Sequence, residues 1–292
     1  MSAVVFAYHD VGVYCLQTLI DAGIKISLVI THADDPDETI WFASVAKLCE
    51  EQGLPYKIIP KENLGQLLPE LQNLNPDYLF SFYYRFMLPE DFLKTARIAA
   101  LNMHGSLLPK YRGRAPVNWA VLHGETETGA TLHVMEKKPD AGDIVSQSSV
   151  SIELNDNAQA VFNKVSKAAK KAMEQVLPDL LKGQVPRQKN DLALGGYFGG
   201  RKPEDGKIDW SQKAIQIYNL IRAVAPPYPG AYCEKNAQGQ EQRLILAKAS
   251  LPLENPPSQL ALQQLGLQVV DNQTFGICGD GRVLQILDWY PN

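Results

Sequence analysis

Short apolar runs alternate with helical patterns through the first third of the chain, and this alternation limits the possible folds more than any other feature. A short continuous apolar run predicts a strand at 3–8, and further strands are predicted at 24–31, 55–59, 77–82 and 97–104. Apolar residues at helical spacing predict helices after the first strand up to Gly23, at 40–52 and at 63–74. Strands without polar alternation are typically buried on both faces. The sequence therefore predicts an α/β fold with a Rossmann-like parallel sheet and right-handed crossovers.

After about residue 126, the predicted secondary structure no longer alternates regularly between strands and helices. Strands with an intervening loop are predicted over 126–152, and a long helix over 156–182. The segment 183–206 combines Pro, paired Gly and mixed charges, which indicates a connection that wraps between domains. Beyond it, a helix and short runs separated by turn signals predict a small β-rich, OB-like barrel; these elements are 211–223, 231–233, 242–249, 267–270 and 283–288. We predict a catalytic domain at 1–190, a linker at 191–204 and a barrel-like domain at 205–292.

Charge and cysteine usage exclude several classes of protein. Lys plus Arg number 28 against 32 Asp plus Glu, a formal charge of −4, which argues against a protein that grips a nucleic-acid backbone. The four cysteines form no C-x-x-C pair and no Cys/His cluster at zinc spacing, so we expect reduced thiols and no metal. No apolar run approaches the ~18 residues of a membrane helix, and the amino terminus lacks a basic signal-peptide region. We expect a cytoplasmic protein without membrane insertion.

Common phosphate-binding and hydrolase motifs are absent from the sequence. There is no G-x-x-x-x-G-K-[ST], no G-x-G-x-x-G after the first strand and no G-x-S-x-G. The glycine pairs at 195–196 and 199–200 fall in the predicted linker, where flexibility is the simpler explanation. The sheet is therefore not predicted to be a P-loop or dinucleotide-binding sheet.

The most informative segment is 102–116, NMHGSLLPKYRGRAP. Asn102 and His104 are two residues apart at the end of a predicted strand, so their side chains point to one side, at the sheet edge where ligands bind. A histidine there is more often structural, but an amide beside it favours catalysis. The amide can stabilise an oxyanion while the imidazole moves a proton. The other histidines are predicted to be structural or on the surface: His9, His32, His123 and His133.

Two further features surround this segment. The basic residues of the loop, Lys110, Arg112 and Arg114, are few and local, which suits a small anionic ligand better than a polymer. Downstream, EKKPDAGD at 136–143 is a turn between two predicted strands. Its Asp140 is either a solvated turn residue or the partner of His104, in which case it would raise the pKa of the imidazole.

The run NMHGSLLPKYRG at 102–113, together with the downstream Asp140-Ala141-Gly142, resembles the signature of the 10-formyltetrahydrofolate-dependent formyltransferases. The likeness continues in FGGRKPEDGKIDW at 198–210 and IRAVAPPYPGAY at 221–232, which resemble the C-terminal domain of that family. VVFAYHD at 4–10 and FSFYYRF at 80–86 resemble members that act on UDP-4-amino-4-deoxy-L-arabinose.

This resemblance implies an enzyme with 10-formyltetrahydrofolate as co-substrate and no metal. It implies that Asn102 stabilises the oxyanion, that His104 transfers the proton and that Asp140 raises the pKa of His104. The implied folate contacts are Phe86, Met87, Leu88, Arg114, Glu136, Lys137, Lys138, Pro139 and Asp140. For 86–88, core packing after the fourth strand is the alternative explanation.

The implied acceptor is a nucleotide-linked amino sugar, with UDP-4-amino-4-deoxy-L-arabinose as the leading expectation. Methionyl-tRNA formyltransferases share the motif but usually carry a basic insertion after the second strand. Here the corresponding segment, THADDPDETIW at 31–41, is acidic and lacks Lys and Arg, which disfavours tRNA and other nucleic acids. Glycinamide ribonucleotide formyltransferases have shorter chains. A non-catalytic folate or nucleotide-sugar binding module would not need Asn102, His104 and Asp140 together. Oligomers, and a free-standing or excised form, remain open.

Overall fold

The computed structural model describes residues 1–36, 38–235 and 237–291. The chain divides into two compact units. The first comprises Met1–Gly113, Glu127–Val150 and Asn163–Phe198. The second comprises Arg114–Thr126, Ser151–Phe162 and Gly199–Asn292. Each unit is therefore assembled from separate stretches of the chain.

The first unit is built on a seven-stranded sheet in the order β3-β2-β1-β4-β5-β7-β8. Its strands are β1 Ser2–Ala7, β2 Lys25–Thr31, β3 Tyr56–Ile58, β4 Tyr78–Phe82, β5 Ala99–His104, β7 Glu127–Val134 and β8 Ile144–Ser151. A short β6, Arg112–Gly113, pairs instead with β9, Tyr197–Phe198. The five strands from β3 to β5 are parallel, whereas β7 runs antiparallel to β5. The α/β expectation is confirmed, with the sheet mixed rather than wholly parallel.

The apolar runs form strands because both faces of the sheet centre are covered. All five residues of β4 are buried, as are the last five of β1. Phe6 of β1 packs edge-on against Tyr84, with ring centroids 5.2 Å apart. Burying a large apolar side chain fully contributes about 1.5–3 kcal/mol, so the central strands provide a rigid base for the residues at their ends.

Helices occur in both units. The α-helices are α1 His9–Asp21, α2 Val45–Gln52, α3 Leu68–Leu74, α4 Glu90–Leu93, α5 Pro116–Leu122, α6 Ala158–Leu180 and α7 Ala214–Ala223, and 3₁₀ turns lie at Lys61–Leu67, Leu192–Leu194 and Pro203–Gly206. The helix predicted at 40–52 begins only at Val45, because Ser44 caps it by accepting the Lys47 N–H at 3.3 Å. Gly53, with φ +64°, ends it.

The second unit contains five antiparallel strands in the order β10-β11-β14-β13-β12, which form a half-barrel. They are β10 Ala231–Lys235, β11 Glu241–Ala249, β12 Gly266–Val270, β13 Gln273–Ile277 and β14 Val283–Pro291. Ile217 and Ile221 of α7 belong to the same buried cluster as Leu246 of β11. The expectation of a small β-rich domain is confirmed.

Neither a membrane-crossing helix nor a metal-binding cluster occurs in the described part of the chain. No helix among these residues is long and apolar enough to cross a bilayer. In the same residues, no group of three or more His, Cys, Asp or Glu side chains could hold a metal ion. The four cysteines are buried free thiols, and burial raises the pKa of Cys278 to about 12.

Candidate active site

Two polar side chains stand at the carboxyl end of β5. Asn102 and His104 are two residues apart, so they project from the same face of the sheet. In the sheet register, Asn102 lies opposite Ser81 of β4 and His133 of β7. His104 is buried and Asn102 is half-buried. The strand thus presents an amide and an imidazole together at one end of the sheet.

Asp140 reaches this strand end from the loop between β7 and β8. Its backbone is left-handed, with φ +50°, and Asn190 Nδ2 holds the loop by donating to the Asp140 and Gly142 carbonyls, each at 3.1 Å. The carboxylate accepts the Gly113 N–H at 2.8 Å. Its Oδ1 lies 3.6 Å from His104 Nδ1. The structure therefore brings Asn102, His104 and Asp140 into one cluster.

Both ring nitrogens of His104 face oxygen atoms. Nδ1 faces Asp140, and Nε2 lies 2.8 Å from the Tyr111 carbonyl oxygen. A neutral imidazole donates only one N–H, so only the imidazolium satisfies both acceptors. Burial nevertheless lowers the pKa of His104 below its usual value, while Asp140 and the Tyr111 carbonyl act to raise it and His133 acts to lower it. Burial has the largest effect, so the pKa of His104 lies below its usual value.

The Asp140 carboxyl remains ionised in this setting. Burial acts to raise its pKa, but His104, His133 and the Gly113 N–H together lower it well below its usual value. Its side chain is only 12% exposed, so the negative charge acts on the imidazoles through little solvent. A buried, ionised carboxylate is thus available to stabilise a proton on His104.

His133 belongs to this cluster: it is buried, as a structural histidine would be, but it lies beside Asn102 and Asp140, which the sequence did not predict. It is buried on β7, and its Nε2 lies 3.1 Å from Asn102 Nδ2 and 3.4 Å from Asp140 Oδ1. Its Nδ1 is 2.9 Å from the Val134 carbonyl oxygen, which places a proton on Nδ1. In the neutral ring, Nε2 then accepts from the Asn102 amide and fixes the orientation of that amide.

The loop that follows His104 is held by a compact set of hydrogen bonds. Thr131 Oγ1 donates to the Ser106 carbonyl at 2.6 Å and accepts the Leu108 N–H at 3.1 Å. Gln147 Nε2 donates to the Leu108 carbonyl at 2.9 Å, and Ser106 Oγ donates to the Lys110 carbonyl at 2.6 Å. These bonds fix the loop that brings the Tyr111 carbonyl to His104.

The residues predicted to contact folate are distributed over both units. Phe86, Leu88 and Met135 pack against the same core cluster of the first unit. Phe86 and Leu88 also fill the core, as the alternative explanation proposed. Four further residues of the predicted folate contacts are exposed: Met87, Glu136, Lys137 and Lys138. Pro139 is half-buried. Arg114 is exposed and belongs to the second unit.

Comparison with known families identifies the chain. A model described as formyl transferase matches residues 5–177, more than half of the chain. The chain belongs to the formyl transferase family. A second model, the formyl transferase C-terminal domain, matches residues 201–289. The formyl transferase assignment makes the protein an enzyme of acyl-group transfer and agrees with the resemblance found at 102–113.

Solved formyl transferases share this fold. An N-formyltransferase from Helicobacter canadensis, in complex with folinic acid and dTDP-3-aminofucose, is 18% identical with a TM-score of 0.76, covering 99% of each chain. WlaRD, a sugar 3N-formyl transferase studied with dTDP and 5-N-formyl-THF, is 18% identical with a TM-score of 0.70, covering 98% of this chain and 96% of its own. A 4-N formyltransferase from Francisella tularensis is 23% identical with a TM-score of 0.64, covering 85% and 97%.

The cluster offers this formyl transferase the two functions that acyl transfer to an amine requires. An amide N–H at Asn102 can donate to an oxyanion, and His104 can move a proton while Asp140 balances its charge. His133 adds an anchor for the amide. These capacities come from protein groups in the first unit.

Proposed function

We propose that the protein transfers the formyl group of 10-formyltetrahydrofolate to the amine of a nucleotide-linked amino sugar. The observation that carries the proposal is the meeting of Asn102, His104 and Asp140 at the end of β5 in a chain of the formyl transferase family. The neighbouring structures with folinic acid or formyl-THF, and with dTDP or a dTDP-sugar, support both halves of the substrate pair.

The reaction begins when the neutral amine attacks the formyl carbon. The new C–N bond forms a tetrahedral intermediate, whose oxyanion accepts a hydrogen bond from the Asn102 amide. His104 takes a proton from the amine nitrogen and becomes an imidazolium. Both of its N–H groups then have acceptors, Asp140 and the Tyr111 carbonyl. The bond from the formyl carbon to N10 breaks, His104 returns the proton to N10, and tetrahydrofolate leaves.

The proposed folate contacts come mainly from two segments of the first unit, 86–88 and 136–140. Met87 is 63% exposed, so its side chain is available for a contact with a planar ring. Phe86, Leu88 and the loop 136–140 complete this part of the proposal, with Arg114 as a further contact. No metal takes part in the proposed mechanism.

For the acceptor, we propose UDP-4-amino-4-deoxy-L-arabinose, which would place the enzyme in lipid A modification and polymyxin resistance. The proposal rests on the stretches at 4–10, 80–86 and 102–119. The alternative acceptor, methionyl-tRNA, is disfavoured by the acidic segment at 31–41. In the structure Asp34 accepts the Tyr8 hydroxyl at 2.6 Å, and Glu38 pairs with Arg85 at 2.7 Å. These carboxylates therefore hold the segment in place.

The domain boundaries at 1–190, 191–204 and 205–292 and a cytoplasmic location remain parts of this proposal. A non-catalytic binding module is the alternative from another class. It would bind folate and nucleotide sugar without releasing tetrahydrofolate.

The test is a turnover assay with a panel of acceptors. The purified protein is mixed with 10-formyltetrahydrofolate and UDP- or dTDP-linked amino sugars, or with methionyl-tRNA, and released tetrahydrofolate is measured. Release with a nucleotide sugar, abolished in Asn102→Ala, is the expected result. Release with methionyl-tRNA alone would replace the acceptor, and binding without release from any acceptor would favour the binding module.

A further inference from the structure

The segment 190–198, which we call the return segment, contacts both of the loops that place an acceptor at His104. At its start, the buried Asn190 side chain donates through Nδ2 to the carbonyls of Asp140 and Gly142, each at 3.1 Å. Both carbonyls belong to the loop between β7 and β8, which contains the Asp140 carboxylate. One buried amide therefore fixes the backbone from which that carboxylate projects.

The other end of the return segment holds the loop that follows β5. The Gly195 carbonyl accepts Arg112 Nη2 at 3.2 Å, and the Gly196 carbonyl accepts the Arg112 N–H at 3.1 Å. The Phe198 ring stacks on Tyr111, with centroids 5.1 Å apart and planes at 29°. Because the Tyr111 carbonyl is the oxygen that faces Nε2 of the imidazole, this end of the segment supports the second acceptor.

Gly195 is required by this close approach of two backbones. A Cβ added there would collide with the Pro109 carbonyl and lie 2.8 Å from the Lys110 nitrogen. The Gly195 backbone is extended, with φ −153°, a conformation that any residue adopts. Contact with the loop after β5, rather than flexibility, therefore explains this glycine.

The two loops and the return segment are bonded to one another around His104. The Gly113 N–H of one loop donates to the Asp140 carboxylate of the other at 2.8 Å, and each loop is bonded to the return segment. Both N–H groups of an imidazolium need acceptors, so both loops must stay in place when His104 holds the proton. A displacement of about 1 Å at a catalytic group can cost ~100-fold in rate.

We propose that the return segment, through Asn190 and Gly195, is a positioning element that holds the Asp140 carboxylate and the Tyr111 carbonyl against the two ring nitrogens of His104. Its part in catalysis rests on the proposed function. The segment acts through His104 and is assigned no contact with substrate.

The charges around His104 give the direction of the expected effect. Among the described residues, the titratable side chains that face it are Asp140 and His133, whose ring centroid lies 6.5 Å from that of His104. Burial lowers the pKa of His104 most and His133 also lowers it, whereas Asp140 and the Tyr111 carbonyl raise it. Displacing either acceptor should therefore lower this pKa further.

The test uses one variant for each end of the segment. Asn190→Ala removes both donors to the loop of Asp140, and Gly195→Ala forces the segment away from the loop of Tyr111. Each should lower kcat for tetrahydrofolate release about 10- to 100-fold with little change in KM. Each should also move the acidic limb of the kcat/KM profile, and the pKa of His104, to lower pH.

The pKa is measured directly by NMR on protein with isotope-labelled histidine. The ring-nitrogen signals of His104 are assigned by their loss in His104→Gln, and circular dichroism confirms that each variant is folded. A merely structural role for the segment would change stability and leave the titration of His104 where it is.

Two matched controls lie just outside the return segment. Gln188→Ala removes an exposed side-chain amide and keeps the backbone that pairs with Ile144 at 2.8 Å. Gly199→Ala adds a Cβ that meets nothing within 4 Å. Both should keep the kcat and the His104 pKa of the wild type.

Wild-type kcat and His104 pKa in folded Asn190→Ala would overturn the positioning role. So would a lower kcat with an unmoved pKa, or equal losses in the two controls. If Asn190→Ala fails to fold, Gly195→Ala decides between the same results.

The titration needs no substrate, so its result is independent of turnover. If no acceptor supports tetrahydrofolate release but the pKa of His104 falls in both variants, the proposed function fails and the positioning of His104 stands. If both variants release tetrahydrofolate with wild-type kinetics and an unmoved pKa, the positioning role fails and the proposed function stands.

Discussion

Replacing Asp140 by Asn tests the electrostatic core of the proposed mechanism with a change of almost no volume. The carbonyl oxygen of the new side-chain amide can still accept the Gly113 N–H, which now bonds to the Asp140 carboxylate at 2.8 Å. The NH₂ of that amide then faces His104 Nδ1, which lies 3.6 Å from the present carboxylate oxygen. Because an NH₂ donates, it requires a lone pair on Nδ1 and moves the His104 proton to Nε2, towards the Tyr111 carbonyl.

The size of the effect follows from this geometry. A unit charge about 4 Å from an imidazolium is worth ~4 kcal/mol at an effective dielectric constant near 20, which corresponds to about a thousandfold in rate. Loss of general acid–base catalysis costs roughly 10²- to 10⁴-fold. We therefore expect kcat of Asp140→Asn to fall about 10²- to 10⁴-fold while the protein remains folded.

The pH dependence of the same variant gives a second, signed readout. Asp140 acts to raise the pKa of His104 against the effect of burial. Without the carboxylate the pKa falls further, so the acidic limb of the kcat/KM profile should move to lower pH. Asp143→Asn is the matched control, since Asp143 lies in the same loop, 39% exposed, 3.8 Å from Arg187. A normal rate and an unmoved acidic limb in Asp140→Asn would refute the reasoning.

Four further predictions concern neighbouring groups. Asn102→Ala and His104→Ala should fold normally yet lose formyl transfer about 100- to 1,000-fold or more, and substantial tetrahydrofolate release by both would contradict their roles. His133→Ala should lower kcat about 10- to 100-fold with little change in KM; an equal kcat would make the residue merely structural. Gly113→Ala should lose roughly 1–3 kcal/mol in denaturant titrations, because φ is +102° and a Cβ would lie 2.1 Å from the Phe198 carbonyl oxygen. The free energy of unfolding should fall as the pH drops below about 6.5, since the unfolded chain protonates His104 before the native one does; the slope should diminish in His104→Gln.

The sequence predicted the central strands because their burial leaves a local record. The short, mostly apolar segment 77–82 can be recognised as a strand without knowing its neighbours, and β4 is buried throughout. Strand direction leaves no such record. β7 pairs with β5 in the antiparallel direction. That direction depends on how the chain returns to the sheet after α5, which neither composition nor periodicity specifies. The helix predicted at 40–52 begins later, at Val45, for a different reason. A single side-chain cap at Ser44 decides where α2 begins.

Some residues of the candidate site could likewise be predicted from local sequence, and others could not. Asn102 and His104 could be paired from strand alternation, because both lie on one short strand. Asp140 came from a motif resemblance, and its position depends on Gly113 and Asn190 far away in the chain. His133 was missed because its place opposite Asn102 follows from the β5–β7 register, which no local pattern encodes.

Two buried imidazoles, His104 and His133, lie near the single carboxylate of Asp140. Their hydrogen bonds indicate which of the two rings that carboxylate stabilises in the protonated form. The bond from Nδ1 to the Val134 carbonyl fixes one proton on His133 and turns Nε2 into an acceptor for the Asn102 amide. A second proton on that ring would take the lone pair from Asn102 and compete with His104 for Asp140, 3.4 Å away. When Nε2 accepts from Asn102, the His133 ring holds that amide in the orientation that the proposed oxyanion contact requires, while the carboxylate faces His104. In the proposed mechanism, His133 would orient the amide that binds the oxyanion, and His104 would transfer the proton.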